Sequence, residues 1–283
     1  MSDPLRSRTT VVHLEVSSRC NLRCVYCAVS QPEYEGRDMD LDEIWPGWFE
    51  ELAAHAPTEV HLNGHGEATL FRDWPSVASR LLENGMAVHM QSNLSRPLQS
   101  DEIEVMAHFA AITVSCDTAD PQLHAQIRRG SRLATIEDNL DSIHEYCSAH
   151  RVGLPHLSVS AVVSDVTVQG LPDLVRWSYY LRARSLSLVN LVSYPTPAGA
   201  QIGLRHPAVV RKAARKALAE VERLVDQFGM DLNVMPGLSI SLEDDAAATA
   251  SSDDTDPVEA RAADRCDLTR DCIDPWTNAW VDE

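Results

Sequence analysis

The chain has 283 residues, 44% of them apolar, enough to bury one sizeable core as a large α/β domain or a domain with an appendage. Forty-two acids against 24 bases leave a net charge of −18, which argues against nucleic acid as a partner, because phosphate binding needs a basic face. No run of about 18 apolar residues occurs, the N-terminus lacks a signal-peptide core, and seven cysteines are an odd count for a secreted disulfide framework, so a cytoplasmic protein without a membrane anchor is expected.

In chain order, the first strand-like run spans Thr10 to Val16, with His13 and Glu15 alternating against Val12, Leu14 and Val16. Directly after it, Cys20-Asn21-Leu22-Arg23-Cys24-Val25-Tyr26-Cys27 sets three cysteines at spacing C-x3-C-x2-C. Three thiolates on one tight loop can hold three irons of a four-iron cubane and leave the fourth open to a small molecule. Core cysteines, or a zinc site completed by a distant ligand, are the competing readings. Structural cysteines rarely crowd onto one loop, however, and zinc loops usually pair C-x2-C with a second pair.

Five further strands are predicted near Glu59 to Leu62, Ala87 to Gln91, Ala111 to Val114, Leu157 to Val163 and Ser185 to Val192. Helices are predicted between them at Leu41 to His55, Pro75 to Glu83, Ser100 to Phe109, Ser131 to His150 and Leu171 to Arg182, so the class is α/β with a parallel sheet. Ile136, Leu140, Ile143 and Cys147 share one helix face, which makes Cys147 a core residue. A last helix runs from Pro207 to Phe228, with Val210, Ala213, Ala217, Val221, Leu224 and Phe228 as its apolar stripe and Gly229 as its stop; Met230 to Ile240 can add one more strand. From Ser241 to Glu283 there are 13 acids and 3 arginines, which supply −10 of the −18. The chain therefore divides into a main domain over 1–240, an acidic flexible linker over 241–264 and an ordered segment over 265–283.

The strands alternate apolar residues with polar ones: His13, Glu15, His61, Asn63, His89, Gln91, Thr113, Ser115, Asp117, Ser158, Ser160, Ser185 and Ser187 fall on the polar side. The apolar faces must pack on helices, so the polar faces line a wet cavity. A lone histidine is ordinarily a hydrogen-bonded core residue; three on corresponding strand faces favour the cavity. After the second strand, Asn63-Gly64-His65-Gly66-Glu67-Ala68-Thr69 combines glycines, which let backbone approach a ligand, with a carboxylate able to accept from an ammonium group, although it serves equally as a strand-to-helix turn. Ser92-Asn93 and Ser115-Cys116-Asp117 end strands three and four on the edge where ligand-contacting residues collect; Cys116 points to the helices and is structural.

The cysteine spacing, with the aromatic Tyr26 before the last cysteine, resembles the signature of the radical S-adenosylmethionine (radical SAM) superfamily. That resemblance implies a partial (β/α)6 TIM-like barrel with a C-terminal extension. It implies a [4Fe-4S] cluster on Cys20, Cys24 and Cys27, SAM chelating the open iron, and reductive cleavage to a 5′-deoxyadenosyl radical with electrons from a partner such as flavodoxin or ferredoxin. The element around Gly64, Gly66 and Glu67 resembles the family's Gly-Gly-Glu-Pro, which binds the SAM amino group, but here His65 is inserted and Ala68 replaces proline. Ser92, Asn93, Ser115 and Asp117 look like ribose-binding positions, with Ser160 beside them, and Arg128 of Ile127-Arg128-Arg129-Gly130 resembles the arginine that meets the SAM carboxylate; a pair of exposed arginines at a helix end is the competing reading.

The tail residues Cys272-Ile273-Asp274-Pro275-Trp276 resemble the entrance to the auxiliary-cluster region of the SPASM and Twitch subfamilies. Two cysteines, Cys266 and Cys272, do not complete a four-iron site, so truncation, a vestigial region, or another role for Cys266 such as hydrogen-atom donor stay open beside an auxiliary iron–sulfur cluster. The expected function is hydrogen abstraction from a polar small molecule, neutral or cationic (an amino sugar, aminocyclitol or nucleoside-like compound), in a dehydrogenation or epimerisation. Glu15, His61 and Cys266 are its candidate catalytic residues, and His13, Asn63, His89 and Gln91 line the cavity. Peptide modification is the rival enzymatic reading, against which no leader-binding domain precedes the barrel. A non-catalytic iron–sulfur or zinc protein is the third.

Overall fold

A computed structural model describes residues 11–41, 57–192 and 203–235, with Gly47, Phe49, Leu52 and Leu238 besides. The expected helix at Leu41 to His55 falls largely outside the described residues, and the linker over 241–264 and the segment over 265–283, with Cys266 and Cys272, lie wholly outside them.

Seven strands form one parallel sheet, the six expected and the additional one allowed within Met230 to Ile240: β1 (Val11–Leu14), β3 (Glu59–Leu62), β4 (Ala87–Ser92), β5 (Ala111–Ser115), β7 (His156–Val163), β8 (Ser185–Asn190) and β9 (Asp231–Val234), hydrogen-bonded in that order. Spatial order equals chain order without a reversal. A parallel sheet wound in one direction puts all its right-handed crossovers on one face and curls around the other, which is the wall of a partial barrel with β1 and β9 at its edges. A second, two-stranded antiparallel ladder, β2 (Arg23–Cys24) with β6 (Arg128–Arg129), was not expected.

The predicted alternation holds along the wall. β4 and β7 alternate half-buried and buried residues over their whole lengths. Val60, Leu62, Val88, Met90, Ile112, Val114, Val159, Leu186 and Leu188 are at most 1% exposed and belong to one core with the helices. Burying each such side chain stabilises the fold by about 1.5–3 kcal/mol. The covering helices are α1 (Trp74–Glu83), α2 (Ser100–Met106), α3 (Pro121–Ile127), α4 (Leu133–His150), α5 (Leu171–Tyr180) and α6 (Arg211–Phe228). Trp74, fully buried on α1, spends its indole N–H on Glu102 of α2 at 3.0 Å, and Arg96 pairs with the same carboxylate.

Ile136, Leu140, Ile143 and Cys147 are buried on α4 as expected, and Cys116 is fully buried behind β5. On α6 Ala217 is buried as expected but Ala214 is buried in place of Ala213, and a 3-10 turn over Pro207–Val210 precedes the helix; Gly229 ends it at φ +63°, the left-handed conformation glycine adopts freely. Among the described residues no helix is long and apolar enough to cross a membrane.

Candidate active site

The cysteine loop leaves β1 and is closed at its base by the returning chain. Ser18 N–H donates to Arg37 O at 2.8 Å, Met39 N–H to Val16 O at 2.9 Å, and Arg19 Nε–H to Asp38 at 2.9 Å. The far side of the loop is β2, which pairs Cys24 with Arg128, and Val25 N–H extends the pairing to Ile127 O at 3.0 Å. Glycines on two other segments make room for it. A Cβ on Gly66 would lie 2.3 Å from Ser17 O and 2.6 Å from Arg19 O, while the next residue, Glu67, donates its N–H to Arg19 O at 2.7 Å. Gly130 holds φ +100° beside Leu22.

Cys24 is buried, Cys20 and Cys27 are half-buried, and all three are free thiols. Leu22 N–H and Asn93 Nδ2–H point at the Cys20 sulfur, at 3.4 and 3.8 Å. Burial pushes the Cys20 thiol up to about 11 and the Cys24 thiol up to about 12, and raises Cys27 as well. Such thiols give up their protons to a soft cation more readily than to water. A tetrahedral zinc with Zn–S of 2.3 Å holds its sulfurs roughly 3.8 Å apart. The three cysteine sulfurs are not drawn together to that degree: among the described residues, the three ligating groups whose atoms all come within 4.8 Å of one another are Glu59, His61 and His89. The donor set thus fits a polynuclear iron–sulfur cluster, with one sulfur to each of three irons, better than a single ion.

Around the loop the predicted residues divide into two groups. The first is tied to other protein groups. Glu67 is 2% exposed, and its carboxylate accepts from Thr69 N–H (3.3 Å), Thr69 Oγ1 (2.9 Å), Ser92 Oγ (2.7 Å) and Asn93 N–H (2.7 Å). Asn93 also donates to Asn21 Oδ1 at 3.0 Å. Asp117, 1% exposed, takes a two-pronged salt bridge from Arg128 (Nε 2.9 Å, Nη2 2.8 Å), the Tyr26 hydroxyl at 2.8 Å and the Val162 N–H at 2.9 Å. Burial works against the Arg128 charge, but Asp117 holds its pKa well above the usual value; burial, too, drives the Tyr26 phenol well up. Four donors saturate a carboxylate. Glu67, Asp117 and Arg128 thus brace the loop from behind, and the reading of two exposed arginines at a helix end is corrected for one of them: Arg129 is exposed, Arg128 is buried.

The second group lines the open face. His13, His61 and His89 register side by side across β1, β3 and β4; Gln91 donates to Ser115 Oγ at 3.4 Å; Ser115, Ser160 and Ser187 share a row. His13 Nδ1 and Asn63 Oδ1 are 3.0 Å apart. Half-burial tends to raise the Glu15 pKa, but the His65 ring and backbone and the Gly66 backbone outweigh it and hold the carboxyl below its usual range. Burial lowers His61, with the neighbouring His89 and His13 adding to it against Glu59.

Sequence reasoning missed Asp38, which staples the loop through Ser17 (2.8 Å) and Arg19, and Asn139, whose amide donates to Leu94 O (3.0 Å) and Arg96 O (2.8 Å) and fixes the turn after β4. Neither sits in a motif. Ile127-Arg128-Arg129-Gly130 did single out the right segment, and the proline after Asp120 could have revealed α3: Asp120 caps it by accepting from Gln122 and Leu123 N–H, at 2.8 and 3.0 Å.

A family model described as "Radical SAM superfamily" matches residues 14–167. The chain is 26% identical over 219 residues to the GTP 3′,8-cyclase of Brucella ovis, covering 69% of this chain and 56% of the relative, and 30% identical over 210 residues to the probable GTP 3′,8-cyclase of Methanopyrus kandleri, covering 72% and 65%. It thus spans about half to two-thirds of the length of these curated relatives. Among solved structures, Streptococcus suis SuiB bound to S-adenosylmethionine superposes with a TM-score of 0.60 at 18% identity, over 80% of this chain and 49% of that one. "Native anSMEcpe with bound AdoMet" superposes with the same score at 15% identity, over 80% and 63%. At such identities the two show a shared fold.

Proposed function

The chain belongs to the radical SAM superfamily, whose members work with a [4Fe-4S] cluster and SAM, and from that premise we propose that it abstracts a hydrogen atom from a polar, neutral or cationic small molecule held against the open face of the sheet. The observation that supports this substrate class is the lining. Among the described residues of the seven strands and the positions just past their ends, that face presents Glu15, Glu59, Asp231 and Asp117 with histidine, serine, threonine, asparagine and glutamine, and no lysine or arginine of its own, Arg128 reaching Asp117 from β6. Hydroxyls and amines suit such a wall, and a polyanion does not.

In this reading Cys20, Cys24 and Cys27 hold the cluster, and the chemistry it supplies when bound is one-electron cleavage of SAM to a 5′-deoxyadenosyl radical. Gly64 and Gly66 let the backbone come close to the SAM amino group, and Ser115 and Ser160 face its ribose. Glu67, Ser92, Asn93, Tyr26, Asp117 and Arg128 act one step back by fixing the loop. Glu15, with a lowered pKa, stays an anion and serves to bind a substrate hydroxyl or ammonium, while His61, kept largely neutral on the neighbouring strand, is available to accept or hold a proton. Dehydrogenation or epimerisation of an amino sugar, aminocyclitol or nucleoside-like compound fits these groups. A flavodoxin- or ferredoxin-type reductant, and the division into a barrel over 1–240, a linker and a 265–283 segment with Cys266 and Cys272, belong to the same proposal. A second reading, nucleotide cyclisation, is favoured by the names of the relatives from Brucella ovis and Methanopyrus kandleri.

The test is anaerobic reconstitution with iron and sulfide, then dithionite and SAM. The protein should yield 5′-deoxyadenosine above a no-protein control, and Cys24→Ala should abolish it; no excess over the control would sink the enzymatic reading. A panel of aminocyclitols, amino sugars and GTP then separates the substrate classes: turnover with GTP alone would overturn the small neutral or cationic substrate in favour of cyclisation.

A further inference from the structure

Away from the cysteine loop, Glu59, His61 and His89 bring one carboxylate oxygen and two imidazole nitrogens within 4.8 Å of one another. We propose that these three residues bind a divalent first-row transition-metal ion on the open face of the sheet, His61 then serving as a ligand in place of the proton-accepting role it has in the metal-free protein. His61 Nε2 and His89 Nε2 stand 3.3 and 3.7 Å from the same oxygen, Glu59 Oε2. In a tetrahedral site with metal–nitrogen and metal–oxygen bonds near 2.0–2.1 Å, adjacent ligand atoms lie roughly 3.3–3.5 Å apart, so the observed separations already approach that geometry.

The placement follows from the backbone. Parallel pairing puts His61 level with His89 and Glu59 level with Ala87, while His89 is level with Ala111 on the next strand. The two alanines leave the space beside the ligands open, where larger side chains would fill it. The His61 and His89 rings are parallel to within 2° at 4.4 Å, and each must turn about χ2 for its nitrogen to aim at one ion. That torsion is soft in histidine. His13, whose ring centre lies 4.9 Å from that of His61, stands ready as a fourth donor or as a partner of a bound water, with its other nitrogen facing Asn63. Imidazole and carboxylate donors suit zinc, iron(II), cobalt or nickel better than calcium or magnesium. Three protein ligands leave at least one coordination position facing the cavity.

The site lies apart in sequence and in donor chemistry from the cysteines, so the two can be read separately. The full chain, reconstituted so that its cysteines are occupied by iron and sulfide, is exposed to excess zinc, dialysed, and analysed for metal content. Wild type should retain about one zinc per chain above a His61→Gln/His89→Gln double variant, with iron unchanged between them. A single Glu59→Gln variant should weaken zinc retention by about tenfold or more in competition with a chromophoric chelator, which guards against misfolding of the double variant. Equal zinc in wild type and both variants, at equal iron content and equal circular dichroism, would overturn the site whatever the outcome of the SAM-cleavage assay.

Discussion

Gly66→Ala puts a methyl group into the backbone that carries the cysteines. Its Cβ would lie 2.3 Å from Ser17 O, 2.5 Å from Ser18 C and 2.6 Å from Arg19 O, where ordinary contact begins near 3.4 Å. No flexible side-chain tip can yield, so the strand of loop just before Cys20 must retreat by about 1 Å. Such overpacking costs about 1–3 kcal/mol, and the retreat strains the Glu67 N–H bond to Arg19 O, worth about 1 kcal/mol more. A loss of about 2–4 kcal/mol in a domain of this size should lower the thermal midpoint by about 5–12 °C. A 1 Å displacement exceeds the roughly 0.5 Å tolerance of a preorganised metal site, so reconstituted iron should fall below about half of wild type. Gly153→Ala is the control, because its Cβ meets nothing within 4 Å. Differential scanning calorimetry and iron analysis on the two variants provide the test: wild-type midpoint and wild-type iron in Gly66→Ala would refute the idea that this glycine sets the position of the loop.

The buried polar groups give three more expected outcomes. Asp117→Asn leaves the Arg128 guanidinium buried without its counter-charge and should destabilise the fold by about 3–5 kcal/mol in urea titration, whereas Tyr26→Phe, which removes one hydroxyl donor, should cost only about 1–2 kcal/mol; equal losses would mean that the ion pair braces the loop no more strongly than the phenol does. Glu67→Gln exchanges an oxygen that accepts from protein donors for an NH2 that cannot, so a loss of about 2–3 kcal/mol is expected, together with weaker protection of the Asn93 amide in hydrogen exchange. His124 is held neutral, its pKa pushed down to about 4 first by burial and then by Arg128, while its ring meets Ser131 Oγ at 2.7 Å. Because the unfolded chain takes up that proton near pH 6.5 and the folded one does not until about 4, stability attributable to this group is full above pH 6.5 and drains away as the pH falls to about 4, about 3 kcal/mol in all. His124→Gln should flatten the stability profile in that window, and an unchanged slope would sink the assignment.

The wall of the barrel was legible because its information is local. Period-two alternation in runs such as His156–Val163 needs no partner to be recognised, and the helix face through Ile136, Leu140 and Ile143 is written within one element. The cysteine loop was legible for the same reason. What escaped was every contact whose partners are far apart in the chain. Tyr26 and Asp117 are 91 positions apart, and Asp117 and Val162 are 45 apart. The same distance hid the protein partners of Glu67 and Arg128. Motif spacing placed them near the cysteine loop, but which donors a carboxylate meets depends on folding that no window of sequence contains. The two-residue ladder of β2 with β6 is too short for any periodicity.

The pairing of Cys24 with Arg128, locked by Asp117 onto Val162, also has a consequence for how the protein matures. The loop that would receive the cluster emerges early in synthesis, yet its rear wall is not complete until residue 162 has been made. At about 5–20 residues per second, roughly 7 to 28 seconds separate the two. During that interval the three thiols sit on an unfinished scaffold, open to oxidation and to stray metal ions, so productive delivery of iron and sulfide has to follow translation of the first two-thirds of the domain.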